Sequence, residues 1–340
     1  MMDATEQSRM NGIFAYAPGG IGNLGPGLDV LGCAITGAGD EVHATWTESP
    51  GVVIVDAGHP EITTDPARNA CGIAASAVLD RAVGIYGSAE RGVALRVHKG
   101  LPLSAGQGGS SASAVAAAVA VNQLVVMEGG DPLDRVGLLQ AALAAESVVA
   151  GRHLDNVASS LMGGVICVRG IDPPDVCNVP VRMELWFALA HPAIRVRTAD
   201  ARAVLPASFA RETLIAQMGN VASLVAALAA GDHALFGRSL VDVIAEPARA
   251  PLVPGFAAAK QAAFESGALG VSLSGSGPTT FAACASEADA LAAAEAMRWS
   301  FERSGHGCTA RVATIDFNGA RWAPFSFLPA TGELPQARDA

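Results

Sequence analysis

Residues 102–113 read Pro-Leu-Ser-Ala-Gly-Gln-Gly-Gly-Ser-Ser-Ala-Ser, a glycine-rich turn that runs without a break into an alanine-rich stretch ending near Met127. Ahead of it, Val93, Leu95 and Val97 alternate with Ala94, Arg96 and His98, the period-2 signature of a strand. Strand, glycine loop and helix start in that order make a phosphate cradle. Backbone without side chains lets N–H groups and the positive end of a helix face an anion. A tight turn closed by a serine N-cap has the same local spelling, so the cradle reading depends on what else the chain carries.

Two further glycine-rich segments lie far away in sequence, at 17–29 (Ala-Pro-Gly-Gly-Ile-Gly-Asn-Leu-Gly-Pro-Gly-Leu-Asp) and 272–280 (Ser-Leu-Ser-Gly-Ser-Gly-Pro-Thr-Thr). Each has a β-rich run on at least one side, so each can project from the end of a sheet. Three such loops exceed what turns require, and they point to a chain that handles a nucleotide. The Walker pattern and the Gly-x-Gly-x-x-Gly fingerprint are both absent, which removes the ordinary P-loop and Rossmann answers.

At 340 residues and 51% hydrophobic content, the chain is long enough for two domains with their own cores. A net charge of −10 argues against nonspecific nucleic-acid binding, since a phosphate backbone needs a basic face. Lysine occurs at only two positions, Lys99 and Lys260, and Lys99 stands at the mouth of the cradle. The cysteines at 33, 71, 167, 177, 284 and 308 show no Cys-x-x-Cys spacing and read as reduced core thiols of a cytoplasmic protein. The stretch 112–127 is interrupted by Ser113, Asn122 and Gln123, so it reads as a buried helix and not a membrane span; the polar start of the chain lacks a signal pattern.

Strands are expected at 13–17, 41–47, 52–56 and 93–98, and helices at 69–83, 112–127 and 133–149, followed by a polar turn at 151–156. The proline-bearing stretch 170–180 reads as a domain boundary. Beyond it come a strand at 181–190, helices at 211–230, 232–244, 256–266 and 286–303, and strands near 271–278 and 309–317. Ser286 with Asp289 forms a capping box. Strands and helices mix without strict alternation, which favours an α+β, two-domain architecture.

Taken together, the loops resemble those of the galactokinase, homoserine kinase, mevalonate kinase and phosphomevalonate kinase (GHMP) superfamily, which carries a Pro-x3-Gly-Leu-Gly-Ser-Ser-Ala phosphate loop between an N-terminal and a C-terminal glycine motif. Within it, Asn23-Leu-Gly-Pro-Gly-Leu-Asp29, His153-Leu-Asp155-Asn156-Val-Ala158, Thr198-Ala-Asp-Ala-Arg202-Ala-Val-Leu-Pro206 and Glu246-Pro-Ala-Arg249 are similar to segments of the homoserine kinase family. The match spans about residues 13–317 in the right order. It departs at Gln107, where Leu is usual, at Gly109, where the first Ser stands, and at Ser159, where a proline follows Asn-Val-Ala.

The resemblance implies an N-terminal ribosomal-protein-like β/α domain (1–168), a C-terminal ferredoxin-like domain (169–330) and a tail (331–340). It implies ATP and Mg²⁺, with L-homoserine as acceptor in threonine biosynthesis, no nucleic acid or membrane partner, and the homodimer common in the family. Pro102, Gly106, Gly108, Gly109, Ser110 and Ser111 would cradle ATP, Asn69 and Lys99 would flank the adenosine, and Ser110 with Glu146 would hold Mg²⁺. Arg202 and Arg249 would fork onto the acceptor carboxylate, and Asp29 with Asn23 would take its ammonium. His153 would line the pocket, Gly275 would close it, and Asn156 would touch the attacking hydroxyl. Asp155 is the nearby carboxylate able to accept its proton. Two other readings stay open: another small-molecule kinase of the superfamily, of mevalonate or shikimate type, and a noncatalytic metabolite sensor on the same fold.

Overall fold

The computed structural model describes residues 12–86 and 91–324, with the side chains of 82–86 left aside; the expected polar start before Gly12 and the tail 331–340 lie outside the described residues. A first sheet takes the order β11–β1–β2–β4–β3, where β1 is Ile13–Gly22, β2 Leu31–Thr47, β3 Gly51–Asp56, β4 Gly92–Lys99 and β11 Arg321–Pro324. A hairpin of β5 (Val165–Ile171) and β6 (Pro174–Val179) joins its side through β2. The long β2 serves two sets of neighbours, pairing β4 along its second half and β5 through Leu31, Gly32 and Cys33.

Four helices cover this sheet: α1 (Ala70–Tyr86), α2 (Gly109–Met127), α3 (Arg135–Val149) and α4 (Asp155–Met162). The middle one, α2, is apolar on all sides, as a helix surrounded by protein must be. Its alanines and valines are buried from Ala112 to Val125 with few exceptions, and their small size lets α1, α3 and the strands approach closely. Of this apolar stretch 78% is buried within the fold.

A second, antiparallel sheet runs β10–β7–β9–β8, with β7 Trp186–Pro192, β8 Gly270–Leu273, β9 Thr280–Cys284 and β10 Cys308–Thr314. Its alternation is clean. Phe187, Leu189, Phe281 and Ala283 face one way, while Ala188, Ala190, Ala282 and Cys284 face a core shared with α9 (Phe256–Glu265) and α10 (Glu287–Arg303). The first set meets Ile21, Leu24, Leu31, Cys33 and Ile35 of the first half together with α6 (Arg211–Ala230). The Phe187 and Phe281 rings stack edge to face at 6.3 Å. The two halves therefore share one hydrophobic core, and the surface they leave between them is a cleft.

The remaining helices are short: α5 (Thr198–Ala203), α7 (His233–Ser239) and α8 (Ala245–Arg249). The expected capping box exists, Asp289 N–H donating to Ser286 Oγ at 3.2 Å. The helix expected over 232–244 stops at Ser239, and two further expectations differ. The expected turn at 151–156 ends inside α4, which begins at Asp155, and the expected boundary at 170–180 contains β6, because its prolines sit at a hairpin turn and at the first residue of an outer strand, places where a missing N–H costs little. The first sheet thus keeps the chain through Val179 and takes it back at Arg321, so a division at 168/169 passes through β5.

Candidate active site

The three glycine loops meet backbone to backbone. Gly275 N–H donates to Gly22 O at 3.0 Å, Gly20 N–H to Gln107 O at 3.0 Å, and Ser274 Oγ to Gly106 O at 2.7 Å. Gly106 is left-handed at φ 75°, and a Cβ there would come within 2.2 Å of Ser274 O, so only glycine permits this closure. Above the junction opens a cleft of about 400 Å³. Every residue singled out from sequence lines it except Ser111, which is fully buried in the first turn of α2.

The start of α2 lines the cleft. Gly108 occupies its N-cap position at φ 69°, and no side chain caps the helix. The serine-capped turn is therefore not what this sequence forms; the first-turn N–H groups are left for a ligand. The Asn156 side chain fits against both Gly22 and Gly108, where a Cβ at either would come within 3.0 Å of it. This brings the first motif, the phosphate loop and α4 to one point.

Ser110 Oγ donates to Glu146 Oε2 at 2.9 Å. Glu146 is only 2% exposed, so it is no solvated helix charge. Burial pushes its carboxyl above the ordinary range, against the pull of His153 and Ser110. A hydroxyl and a carboxylate side by side on the cleft wall are hard oxygen donors of the kind Mg²⁺ takes alongside water. A second group, Asp29, His153 and Asp155, has ligand atoms within 4.8 Å of one another. Arg202 already occupies Asp29 there, so this trio works as a charge network.

Lys99 reaches the cleft wall, but its ammonium is engaged by Asp40, by Gly109 O at 3.0 Å and by Ser113 Oγ at 2.9 Å. Three acceptors match its three N–H donors. Asn69 caps α1, its Oδ1 accepting from Cys71 N–H at 2.9 Å while its Nδ2 donates to Thr63 O at 2.7 Å.

The cleft wall also carries both signs of charge. Arg202 forks onto Asp29 with bonds of 2.7 and 3.1 Å, which raises the guanidinium pKa. Arg249, buried, donates to Ala201 O and Gly275 O, and burial together with Arg202 lowers its pKa. Asn23 and Asp29 adopt left-handed backbone at φ 67° and 58°, a conformation few side-chain-bearing residues hold without a local purpose. Asn23 N–H donates to Asp155 Oδ2 and Asn23 Oδ1 accepts from Asp29 N–H, both at 3.3 Å. Desolvation lowers the His153 pKa, but Asp155, 3.3 Å from Nδ1, and Glu146 outweigh it and the net shift is upward.

Three polar atoms here, His153 Nε2, Asn156 Oδ1 and Arg202 Nε, are buried with no hydrogen-bond partner among the described residues, while His153 Nδ1 and Asp155 Oδ1 face each other as an ion pair at 3.3 Å. Buried polar groups are rarely left so, and their concentration in one cleft marks where a polar ligand completes the bonding. Asp40 and Ser113, the partners of Lys99, escaped sequence reading. The available signal was the acid inside an apolar strand, in register with Lys99 across β2 and β4. Arg195 and Glu61, which pair across the cleft at 2.7 Å, carry no sequence signal.

Residues 70–164 match the family model described as GHMP kinases N terminal domain, and residues 224–302 that described as GHMP kinases C terminal. The chain is 39% identical over 304 residues to the homoserine kinase of Chloroherpeton thalassium, covering 86% of this chain and 93% of that one. It is 40% identical over 317 residues to the homoserine kinase of Arabidopsis thaliana, covering 90% of this chain and 83% of that one. The crystal structure of homoserine kinase from Cytophaga hutchinsonii superposes with a TM-score of 0.85 at 38% identity, covering 92% of this chain and 98% of the other.

Proposed function

The chain belongs to the homoserine kinase family of the GHMP kinases, and on that premise we propose how its cleft transfers the γ-phosphoryl group of ATP to the side-chain hydroxyl of L-homoserine, making O-phospho-L-homoserine for threonine biosynthesis. Phosphoryl transfer asks a protein mainly to align donor and acceptor and to neutralise charge. The N–H groups of the loop 106–111 and the open end of α2 hold the phosphates, the helix end contributing on the order of 0.3–1 kcal/mol. Ser110 and Glu146 would hold Mg²⁺, which when bound neutralises phosphate charge. Asn69 borders the adenosine; Lys99, its ammonium engaged, shapes the same wall through Gly109.

At the acceptor site, Asp29 and Arg202 neutralise each other. An amino acid brings one charge for each: its ammonium to Asp29 beside Asn23, its carboxylate to Arg202 and Arg249. His153 lines the pocket between them, and Gly275 closes it by carrying Arg249. Asn156 orients the hydroxyl. The hydroxyl oxygen forms the new bond to the γ-phosphorus as the bond to the β–γ bridging oxygen breaks, the hydroxyl proton passes to Asp155, and ADP leaves.

The observation carrying this reading is the uncapped start of α2 opening beside Asn156, in the same cleft as the Asp29–Arg202 couple. A pocket with both charges suits an amino acid better than a hydroxy acid without an amine. Cytoplasmic residence and a homodimer complete the proposal; the free cysteines suit a reducing compartment, and exposed Leu214, Ile215 and Met218 on α6 offer an apolar face. A panel of hydroxy amino acids with ATP and Mg²⁺, read by ADP release, tests the function. Folded protein that releases no ADP with homoserine would remove it.

A further inference from the structure

Gln107 stands between two left-handed glycines, Gly106 at φ 75° and Gly108 at φ 69°, and its side chain is 4% exposed and turned away from the cleft. Its Oε1 accepts from Arg311 Nη2 at 3.0 Å, and its Nε2 donates to Thr279 Oγ1 at 3.3 Å. That hydroxyl also lies 3.2 Å from His191 Nδ1 on β7. Arg311, on β10, uses its other branch to donate to Thr36 O of β2 at 2.8 Å. One arginine therefore ties the second sheet to the first and, from the same guanidinium, holds the loop.

We propose that Arg311 and Gln107 act as a positioning strut that sets the phosphate loop from behind, so that the C-terminal sheet governs how well the loop's N–H groups meet the triphosphate. This inference rests on the ATP-binding reading above. The leucine usual at this place in the family fills a similar volume without polar atoms, and a buried glutamine is tolerated only when partners satisfy it. Here Arg311 on β10 and Thr279 in the loop before β9 supply them. The loop also has glycine at 109 where the family has serine, so its backbone is freer than the family pattern. Anchoring Gln107 at both ends of its amide fixes the peptide planes on either side of it. A loop ordered before its ligand arrives loses less freedom on binding.

Charge supports the same assignment. Among the described residues no carboxylate pairs with Arg311, so its positive charge is not cancelled where it lies beneath an anion-binding loop. Lys99 and Arg202, by contrast, spend theirs on Asp40 and Asp29. The desolvation of Arg311 lowers its pKa, consistent with a charge held away from water.

The test compares wild type with Gln107→Leu, Arg311→Met, Arg311→Lys and the double variant Gln107→Leu/Arg311→Met. Calorimetric binding of a non-hydrolysable ATP analogue with Mg²⁺, without acceptor, is read beside the KM values and thermal melting. Each cut of the strut is expected to raise the analogue Kd and the ATP KM about tenfold, the lower end of the range for one lost bond to a charged group. The homoserine KM should stay put, Arg311→Lys should recover part of the affinity, and the double variant should be no worse than the worse single one. Gln107→Leu binding the analogue as tightly as wild type would overturn the strut whatever happens to melting; so would effects of the two cuts that simply multiply. Gln107→Leu carries the test alone if Arg311→Met fails to fold. Wild type that binds no analogue would sink the ATP reading itself, a different outcome from an intact wild type with unaffected variants.

Discussion

Replacing Arg202 with methionine separates a structural ion pair from a substrate contact. The Arg202 and Asp29 side chains are 34% and 40% exposed, so water screens their attraction despite the forked geometry. Pairs of that exposure are worth about 0.2–1 kcal/mol to folding. Arg202→Met should therefore lower unfolding stability by less than about 1 kcal/mol in a urea titration, and the freed Asp29 carboxylate remains partly hydrated. Binding is another matter, because Arg202 Nε is buried and unpartnered at the proposed carboxylate site. Losing charge-assisted bonds there costs about 1.5–3 kcal/mol, which corresponds to a homoserine KM raised about 10- to 150-fold. The ATP KM should change less, since Arg202 pairs with Asp29 and not with the loop 106–111. An ADP-coupled assay with each substrate varied in turn gives both constants. A homoserine KM within twofold of wild type, accompanied by a stability loss of several kcal/mol, would refute the assignment and make Arg202 a structural residue.

Further outcomes follow from the same cleft. Asp155→Asn should lower kcat by about 10²–10⁴-fold if its carboxylate takes the hydroxyl proton; near-full turnover in folded protein would leave that proton to another acceptor. Glu146 and His153 both have folded pKa values raised, above 4.5 and 6.5 respectively, so the folded state holds their protons more tightly than the unfolded chain does. Stability from Glu146 is full below about pH 4.5 and that from His153 below about pH 6.5, and each is lost as pH climbs through the folded value. Metal-free stability should thus decline with rising pH across this window, with Glu146→Gln flattening the lower part and His153→Gln the upper, as read by urea unfolding at successive pH values. Glu146→Gln should also abolish the rise in melting temperature that Mg²⁺ gives wild type in the presence of ATP. Gly106→Ala must hold a side chain in left-handed backbone and against Ser274 O, at a cost of about 2–5 kcal/mol visible in urea unfolding.

What could be read in the sequence was what local chemistry spells. The glycine loops and the helix after Gly109 announce themselves because a cradle needs side-chain-free backbone beside a helix start. Arg202 and Arg249 came from the matched segments and not from their own surroundings, which lie far apart in sequence. What stayed hidden depends on partners brought by the fold. Asp155 opens a helix although the preceding residues look like a turn, because α4 packs on β1 and β2. Lys99 looks like a free cation until Asp40 is placed across the strand from it. Gln107 stood out only as a departure from the family, and nothing near it in the chain foretells Arg311, 204 residues on.

Leu24 and Leu31 bracket the loop that carries Asp29, and both are rooted in the hydrophobic seam where Phe187 and Phe281 lie. The acceptor's grip is thus mortised into the joint between the halves, and swinging them apart like jaws would dismantle that grip before widening the entrance. At the rim, the solvent-washed Glu61–Arg195 bridge is a contact that salt loosens while the seam beneath it stays shut.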